Sequence, residues 1–249
     1  MTSADVPTRE RSRGRRLVRA AVFAVVVAVV LFGVGYLVRS RWGPLQSLDD
    51  ALIDGATAFT RERPAFREGL IVWQELTQPI NLYVVGALVC LWAWLRAGLR
   101  TRAWWCFATM MAAWNLGLVA KLVVQRSRPV VEDPVSEAPG FSFPSGHALN
   151  AAAWATLVVI LVWPLLRPGL GRVVVAVAGL FTLVTALDRV FLGVHFPSDV
   201  TVGVLTGVGL AVASYAGYSG WNPPDPGEMH DPDADSDPRS PAATTSMER

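Results

Sequence analysis

Residues 144–166 read PSGHALNAAAWATLVVILVWPLL, a short polar motif followed by the uncharged run Ala148–Leu166. A helix needs about 20 mainly apolar residues to cross a bilayer. Five further uncharged runs approach or reach that length: Ala20–Val38, Leu76–Leu95, Ala103–Ala120, Val173–Leu187 and Val200–Ser219. The sequence therefore predicts an all-α, polytopic membrane protein whose six transmembrane helices form a bundle. Val173–Leu187 is the shortest run, and we expect its helix to draw in flanking residues.

The composition also favours a membrane protein. Hydrophobic residues make up 52% of the chain and charged residues 17%, against about 25% charged in soluble domains. This balance excludes a disordered chain and argues against an ordinary soluble enzyme. Cys90 and Cys106 both lie in apolar runs, so neither a disulfide framework nor a cysteine metal site is predicted. The first apolar run is long for a signal peptide and lacks a convincing cleavage site, which favours a retained anchor.

The charges at the two ends and in the loops predict the orientation. Six spans place both termini on one side, and the arginines of residues 1–19 make that side cytoplasmic by the positive-inside rule. The short loops after the second and fourth helices carry arginines and no acids, which agrees. The loop at 39–75 must lie outside, although it carries five arginines and six acids. We predict localisation in the plasma membrane, and the composition suits a bacterium.

The chain divides into a basic cytoplasmic segment (1–19), a six-helix membrane domain (20–219) and an acidic, disordered cytoplasmic tail (220–249). Within the outer loop, five apolar residues fall near helical spacing: Leu48, Ala51, Leu52, Phe59 and Phe66. They predict short interfacial helices between the first two spans, with a solvated loop as the alternative. The basic cluster directly abuts an apolar run, so no nucleic-acid partner is predicted. The oligomeric state stays open.

Three polar clusters interrupt the apolar pattern. The first contains Lys121, the only lysine of the chain, and Arg128, followed by Pro129. A pair of cations snorkelling from a helix end is the alternative interpretation. The second, Phe143–His147, precedes the fourth helix, where free backbone N–H groups and the helix dipole favour an anion. An ordinary helix cap with an interfacial histidine would look similar.

The third cluster, Asp188–Asp199, joins the fifth helix to the sixth. Asp199 lies four residues after His195, within reach of its ring if the turn is helical. A carboxylate that fixes one ring nitrogen leaves the other free as a nucleophile or base. A buried histidine beside a helix-terminal acid is the structural alternative.

The predicted topology brings all three clusters to the outer face. Three cations, helix-terminal N–H groups and two histidines suit an anion with several oxygens, most naturally phosphate. One histidine paired with an acid and one without suit a nucleophile and a separate general acid. No credible carboxylate cluster for magnesium is present, which favours chemistry without a metal or other cofactor.

These residues resemble the type 2 phosphatidic acid phosphatase superfamily, which includes vanadium haloperoxidases. Ten fixed positions of its pattern match in order and spacing: Lys121, Arg128, Pro129, Pro144, Ser145, Gly146, His147, Arg189, His195 and Asp199. The resemblance covers about residues 17–219. The chain departs from the family at Asp188, where serine is usual. An acid there could pair with Arg189 and weaken its hold on phosphate, so we expect it to tune activity.

The resemblance implies a role for each matching residue. Lys121, Arg128 and Arg189 would hold the phosphate oxygens, and Ser145 and the backbone of Gly146 would add hydrogen bonds. His195 would attack phosphorus to form a phosphohistidine, and Asp199 would orient it. His147 would protonate the leaving oxygen.

The resulting hypothesis is a lipid phosphatase that acts at the outer leaflet. Its candidate substrates are a polyprenyl diphosphate, ranked first because an outward site suits recycling of a carrier, phosphatidate and phosphatidylglycerol phosphate. A phosphotransferase using the same phosphohistidine is the alternative. A non-catalytic lipid-binding or transport protein ranks lower, since no core motif residue is missing. A soluble haloperoxidase ranks lowest, and vanadate is expected to inhibit.

Overall fold

The computed structural model describes residues 6–130 and 139–219, which form helices and no strands. The α-helices are α1 (Val6–Arg39), α2 (Gly43–Arg61), α3 (Pro64–Leu76), α4 (Pro79–Leu95), α5 (Arg100–Val124), α6 (Gly146–Val162), α7 (Pro168–Phe191) and α8 (Pro197–Tyr218). A single 3₁₀ turn, Trp163–Leu165, extends α6. The predicted all-α class is confirmed. The tail at 220–249 lies outside the described residues, as do the first five residues and the loop at 131–138.

Five segments of these helices are long and apolar enough to cross a membrane: Leu17–Arg39, Arg100–Val124, Gly146–Leu165, Gly169–Phe191 and Pro197–Tyr218. The second predicted span differs from the expectation. Its helix α4 is too short to qualify alone, and it becomes a sixth span only together with α3, from which it is bent by 49°. The break precedes Pro79, because proline lacks an N–H donor and disfavours helical geometry in the preceding residue.

The centre of the bundle is formed by α6, which packs closely against α8. Side chains of α6 such as Leu149, Leu157 and Leu161 are fully buried. A Cβ atom added to Gly207 would overlap the carbonyl oxygen of Leu149, and one added to Gly203 would lie 2.9 Å from the Ser145 carbonyl oxygen. The small residues of α8 therefore allow its backbone to approach the beginning of α6.

The outer loop folds into the two helices α2 and α3, as predicted. Both pack against the end of α7, where the Thr60 hydroxyl donates to the Phe191 carbonyl oxygen at 2.9 Å. The Trp73 indole donates to Thr185 Oγ1 at 3.2 Å. Asp49 of α2 is only 1% exposed. The outer helices therefore reach the polar end of the bundle.

Candidate active site

The three polar clusters meet at the end of the bundle that α2 and α3 cover. Ser145 donates its backbone N–H to the Asp199 carbonyl oxygen at 3.1 Å, which joins the second cluster to the third. Arg128 Nη1 donates to the Val194 carbonyl oxygen at 2.7 Å. Lys121 Nζ donates to the Phe141 carbonyl oxygen at 2.7 Å, and its Cε lies 3.7 Å from the Cβ position of Gly146. Motifs separated by up to 78 positions (121 to 199) thus share one site.

His195 lies in the turn between α7 and α8 and is almost fully buried. Its Nε2 is 3.2 Å from Arg128 Nη1, so one ring nitrogen faces an arginine that is predicted to bind phosphate. Burial lowers the pKa of the imidazole from 6.5 to about 4, although the neighbouring Asp199 opposes this shift. The ring is therefore neutral near pH 7. A neutral imidazole keeps the lone pair that nucleophilic attack requires.

Asp199 lies in the first turn of α8, close to His195 but not hydrogen-bonded to it. The distance from Asp199 Oδ2 to His195 Nδ1 is 3.6 Å, which exceeds ordinary hydrogen-bond length. The same oxygen accepts the backbone N–H of Phe196 at 3.1 Å. The spacing of four residues thus brings the acid beside the ring, as predicted, and the ring or the acid must shift slightly to form the bond.

Arg126 is the partner of Asp199 that the sequence did not reveal. Its Nη1 donates to Asp199 Oδ1 at 2.6 Å and its Nη2 donates to Asp49 Oδ2 at 2.8 Å. Ser198 completes this group, since its hydroxyl and backbone N–H both donate to Asp49. The Arg126 guanidinium also stacks 4.0 Å from the Phe196 ring centroid. Arg126 therefore links Asp49 of the outer helix α2 to Asp199, the acid beside His195.

The beginning of α6 supplies the second half of the site. Ser145 is fully buried, and its hydroxyl oxygen accepts the Ala148 N–H as the helix cap. The backbone N–H groups of Gly146 and His147 lie in the first turn, where α-helical geometry leaves them without intrahelical partners. The structure thus gives the Ser145 side chain a capping position, while the neighbouring amides suit an anion.

His147 faces the outer helix α3. Its ring lies close to the Gln74 backbone. Its Nε2 is buried and has no hydrogen-bond partner among the described residues. An unpartnered buried ring nitrogen is costly unless it serves a ligand. Such a nitrogen can exchange a proton with a bound molecule.

Arg189 pairs with Asp188, as the departure from the family pattern suggested. Both side chains are buried, and both Nε and Nη2 of Arg189 donate to Asp188 Oδ2. Arg189 Nη1 donates to Gln74 Oε1 at 2.9 Å. A guanidinium has five N–H donors, and three are assigned to these contacts. Asp188 thus partly neutralises Arg189, which is predicted to bind phosphate. Gln74 is a second site residue, after Arg126, that the sequence did not single out.

Replacing Asp188 with serine is expected to strengthen binding of inorganic phosphate by about tenfold, because Arg189 regains unshared charge. The same change should lower the thermal stability, since it breaks a buried ion pair. Competitive inhibition by phosphate and a detergent-phase melting curve measure the two effects. Glu68→Ser, an exposed position on α3 that does not line the cavity beside Arg128, provides the control. Unchanged phosphate inhibition in a folded Asp188→Ser variant would show that Asp188 does not restrain Arg189.

The charges at the site suit an anion. Lys121, Arg128 and Arg189 approach it from three different segments, together with the first amides of α6. Within the residues that the structure describes, no group of three or more histidine, cysteine, aspartate or glutamate side chains could hold a metal ion. The donor set therefore fits a phosphate group better than a metal ion.

Comparisons with known proteins agree with this geometry. Residues 102–223 match the family model of the PAP2 superfamily. Decaprenylphosphoryl-5-phosphoribose phosphatase from Mycobacterium tuberculosis is 33% identical over 188 residues, which cover 72% of this chain and 92% of that protein. Phosphatidylglycerophosphatase B from Escherichia coli is 39% identical over 77 residues, 30% of this chain. The match spans only 29% of that relative's length.

A solved structure has the same fold. It is the transmembrane PAP2-type phosphatidylglycerolphosphate phosphatase from Bacillus subtilis, with a TM-score of 0.66 and 24% identity, covering 78% of this chain and 96% of that chain. The helical bundle, the matched region and the relative from Mycobacterium tuberculosis together assign the family. The chain belongs to the PAP2 superfamily.

Proposed function

We propose that the protein is an integral membrane lipid phosphatase that hydrolyses a phosphomonoester or diphosphate of a lipid at the extracytoplasmic face. The observation that carries this proposal is the position of His195, whose neutral ring presents Nε2 to Arg128. Two relatives of this chain are named phosphatases, which supports phosphate-ester hydrolysis as the reaction. The arginine-rich N-terminal segment supports cytoplasmic termini and an outward site.

The proposed reaction has two displacement steps. His195 Nε2 attacks phosphorus, the bond to the leaving oxygen breaks, and His147 donates a proton to that oxygen. Lys121, Arg128 and Arg189 stabilise the charge on the phosphoryl oxygens. Water then attacks the phosphohistidine and gives a proton to His147, and the nitrogen–phosphorus bond breaks to release phosphate.

The three candidate substrates are a polyprenyl diphosphate, phosphatidate and phosphatidylglycerol phosphate, and we rank the polyprenyl diphosphate first because an outward site suits recycling of a carrier. The relative from Mycobacterium tuberculosis is named for a phosphate on a decaprenylphosphoryl sugar, which supports a polyprenyl-linked substrate as a candidate. The relative from Escherichia coli is named for phosphatidylglycerophosphate. A lipid that carries a terminal phosphate is common to all of them.

Detergent-purified protein is expected to release phosphate from at least one of these lipids at an unchanged rate when excess EDTA is present. The reason is that cationic side chains, rather than a bound metal ion, hold the phosphate. The panel contains a polyprenyl diphosphate, phosphatidate, phosphatidylglycerol phosphate and a soluble phosphate ester. Loss of activity in EDTA, with recovery on adding Mg²⁺, would contradict the metal-independent reaction.

The same assay separates hydrolysis from its alternatives, because lipid products are followed beside released phosphate. A new phosphorylated lipid or sugar without free phosphate would assign a transferase. Binding of a lipid by folded protein, with neither product, would favour the non-catalytic interpretation.

A further inference from the structure

Gln74 is a polar residue of the outer helix α3 that contacts two groups of the site. The residue is partly buried, and its Oε1 accepts a hydrogen bond from Arg189 Nη1 at 2.9 Å. Its backbone lies close to the ring of His147. One residue of α3 therefore adjoins both an arginine that is predicted to bind phosphate and the histidine that is proposed to protonate the leaving oxygen.

The position of Gln74 is fixed by the way α3 packs against α7. The neighbouring Trp73 donates its Nε1–H to Thr185 Oγ1 at 3.2 Å. Thr185 and Arg189 are four residues apart, so they lie on one face of α7 and accept or donate to consecutive residues of α3. One turn before Gln74, Leu70 packs into a buried apolar cluster at the turn after α7. Polar and apolar contacts together hold the Gln74 amide beside Arg189.

The Arg189 guanidinium is shared between a charged acceptor and a neutral one. Its Nε and Nη2 donate to Asp188 Oδ2, and its Nη1 donates to Gln74. Since Nη1 lies off the edge formed by Nε and Nη2, the two acceptors hold the planar group on two sides. A carboxylate attracts a guanidinium more strongly than an amide does, but an amide leaves the positive charge uncancelled. Gln74 therefore opposes the pull of Asp188 and preserves charge for an anion.

We propose that Gln74 is a positioning residue, which holds Arg189 against the pull of Asp188 and keeps it in register with His147. Without the amide, Asp188 draws the guanidinium away from the phosphoryl oxygens. The inference rests on the proposed phosphatase function and adds a residue of the outer loop to it. Helix α3 then takes part in aligning the site as well as covering it.

The variant Gln74→Met removes the amide and keeps an unbranched side chain of similar length. On the lipid that wild-type protein hydrolyses fastest, it should lower kcat about tenfold and change KM less than about threefold, because alignment matters most in the transition state. Gln78→Met is the matched control, since the Gln78 side chain donates to Glu75. It should keep both constants within about twofold. Unchanged kcat in folded Gln74→Met would overturn the inference.

Coupling to Asp188 separates positioning from a merely structural role. When Gln74→Met is introduced into Asp188→Ser protein, it should lower kcat at most about threefold, because no carboxylate then draws Arg189 away. A residue that only stabilises α3 would lower kcat by the same factor in both backgrounds. Equal tenfold losses in the two backgrounds would therefore overturn the inference.

The variant Gln74→Glu provides a second test if the double variant does not fold. Glutamate keeps an acceptor for Arg189 but adds a second carboxylate, so inhibition by inorganic phosphate should weaken at least about tenfold. Equal phosphate inhibition of folded Gln74→Glu and wild-type protein would overturn the inference. If folded wild-type protein hydrolyses no lipid of the panel, the proposed function itself fails, whereas a failure confined to the Gln74 variants leaves that function intact.

Discussion

Replacing His195 with alanine is expected to lower kcat for lipid phosphate hydrolysis by about 10⁴-fold or more, the scale on which enzymes lose activity with their nucleophile. The side chain is buried, its pKa is lowered to about 4, and its Nε2 faces Arg128. The ring is therefore a neutral nucleophile beside an arginine that is predicted to bind phosphate. Phosphate release by detergent-purified protein measures the effect.

The control for this variant is His230→Ala, since His230 is the third histidine of the chain and lies outside the catalytic motifs. Its kcat should remain within about twofold of wild type, as for most changes away from a site. Size-exclusion elution and thermal melting establish that His195→Ala is folded. Near-normal turnover by folded His195→Ala would refute the nucleophile assignment.

Replacing Arg126 with lysine is expected to lower kcat by about 10- to 100-fold while changing KM less than about threefold. Both Nη groups of Arg126 donate to carboxylates. It acts as a positioning residue, because it holds Asp199 and Asp49 at once with two N–H groups of one planar guanidinium. A lysine keeps the positive charge but cannot bridge both carboxylates in fixed geometry.

The split between kcat and KM distinguishes positioning from a merely structural role. Asp49→Asn tests the other end of the same link, and it should lower kcat in the same direction by a smaller factor, because Arg126 keeps Asp199. Arg126→Ala leaves two buried carboxylates without their cation, so a loss of stability of about 3–5 kcal/mol is expected. If folded Arg126→Lys loses affinity for substrate and keeps kcat, Arg126 contacts the substrate instead.

The motif residues could be predicted because their relationships are local or topological. Ser145 and Gly146 stand at the beginning of α6, and an acid lies four residues after His195. Residues at such spacings become spatial neighbours where a helix begins. Counting apolar runs then brings three separate motifs to one face. The structure places Lys121, Arg128, His147 and His195 together as that reasoning predicted.

The contacts made by the outer helices could not be predicted in this way. Asp49 and Arg126 are 77 positions apart, and Gln74 and Arg189 are 115 apart. Nothing in a loop of mixed charge indicates which acid turns inward, because the pairing depends on how α2 and α3 dock against α7. The bend before Pro79 was missed for a related reason. Hydropathy detects the apolar run but not where a helix breaks within it.

The most direct test of the account is a rapid-quench experiment with a lipid whose terminal phosphate is labelled with ³²P. Wild-type protein should carry label during a single turnover, in an acid-labile, base-stable linkage typical of phosphohistidine, before free phosphate appears. His195→Ala should carry none. Rapid phosphate release with no labelled protein at any time, or equal labelling of folded His195→Ala, would contradict the claim that His195 attacks phosphorus.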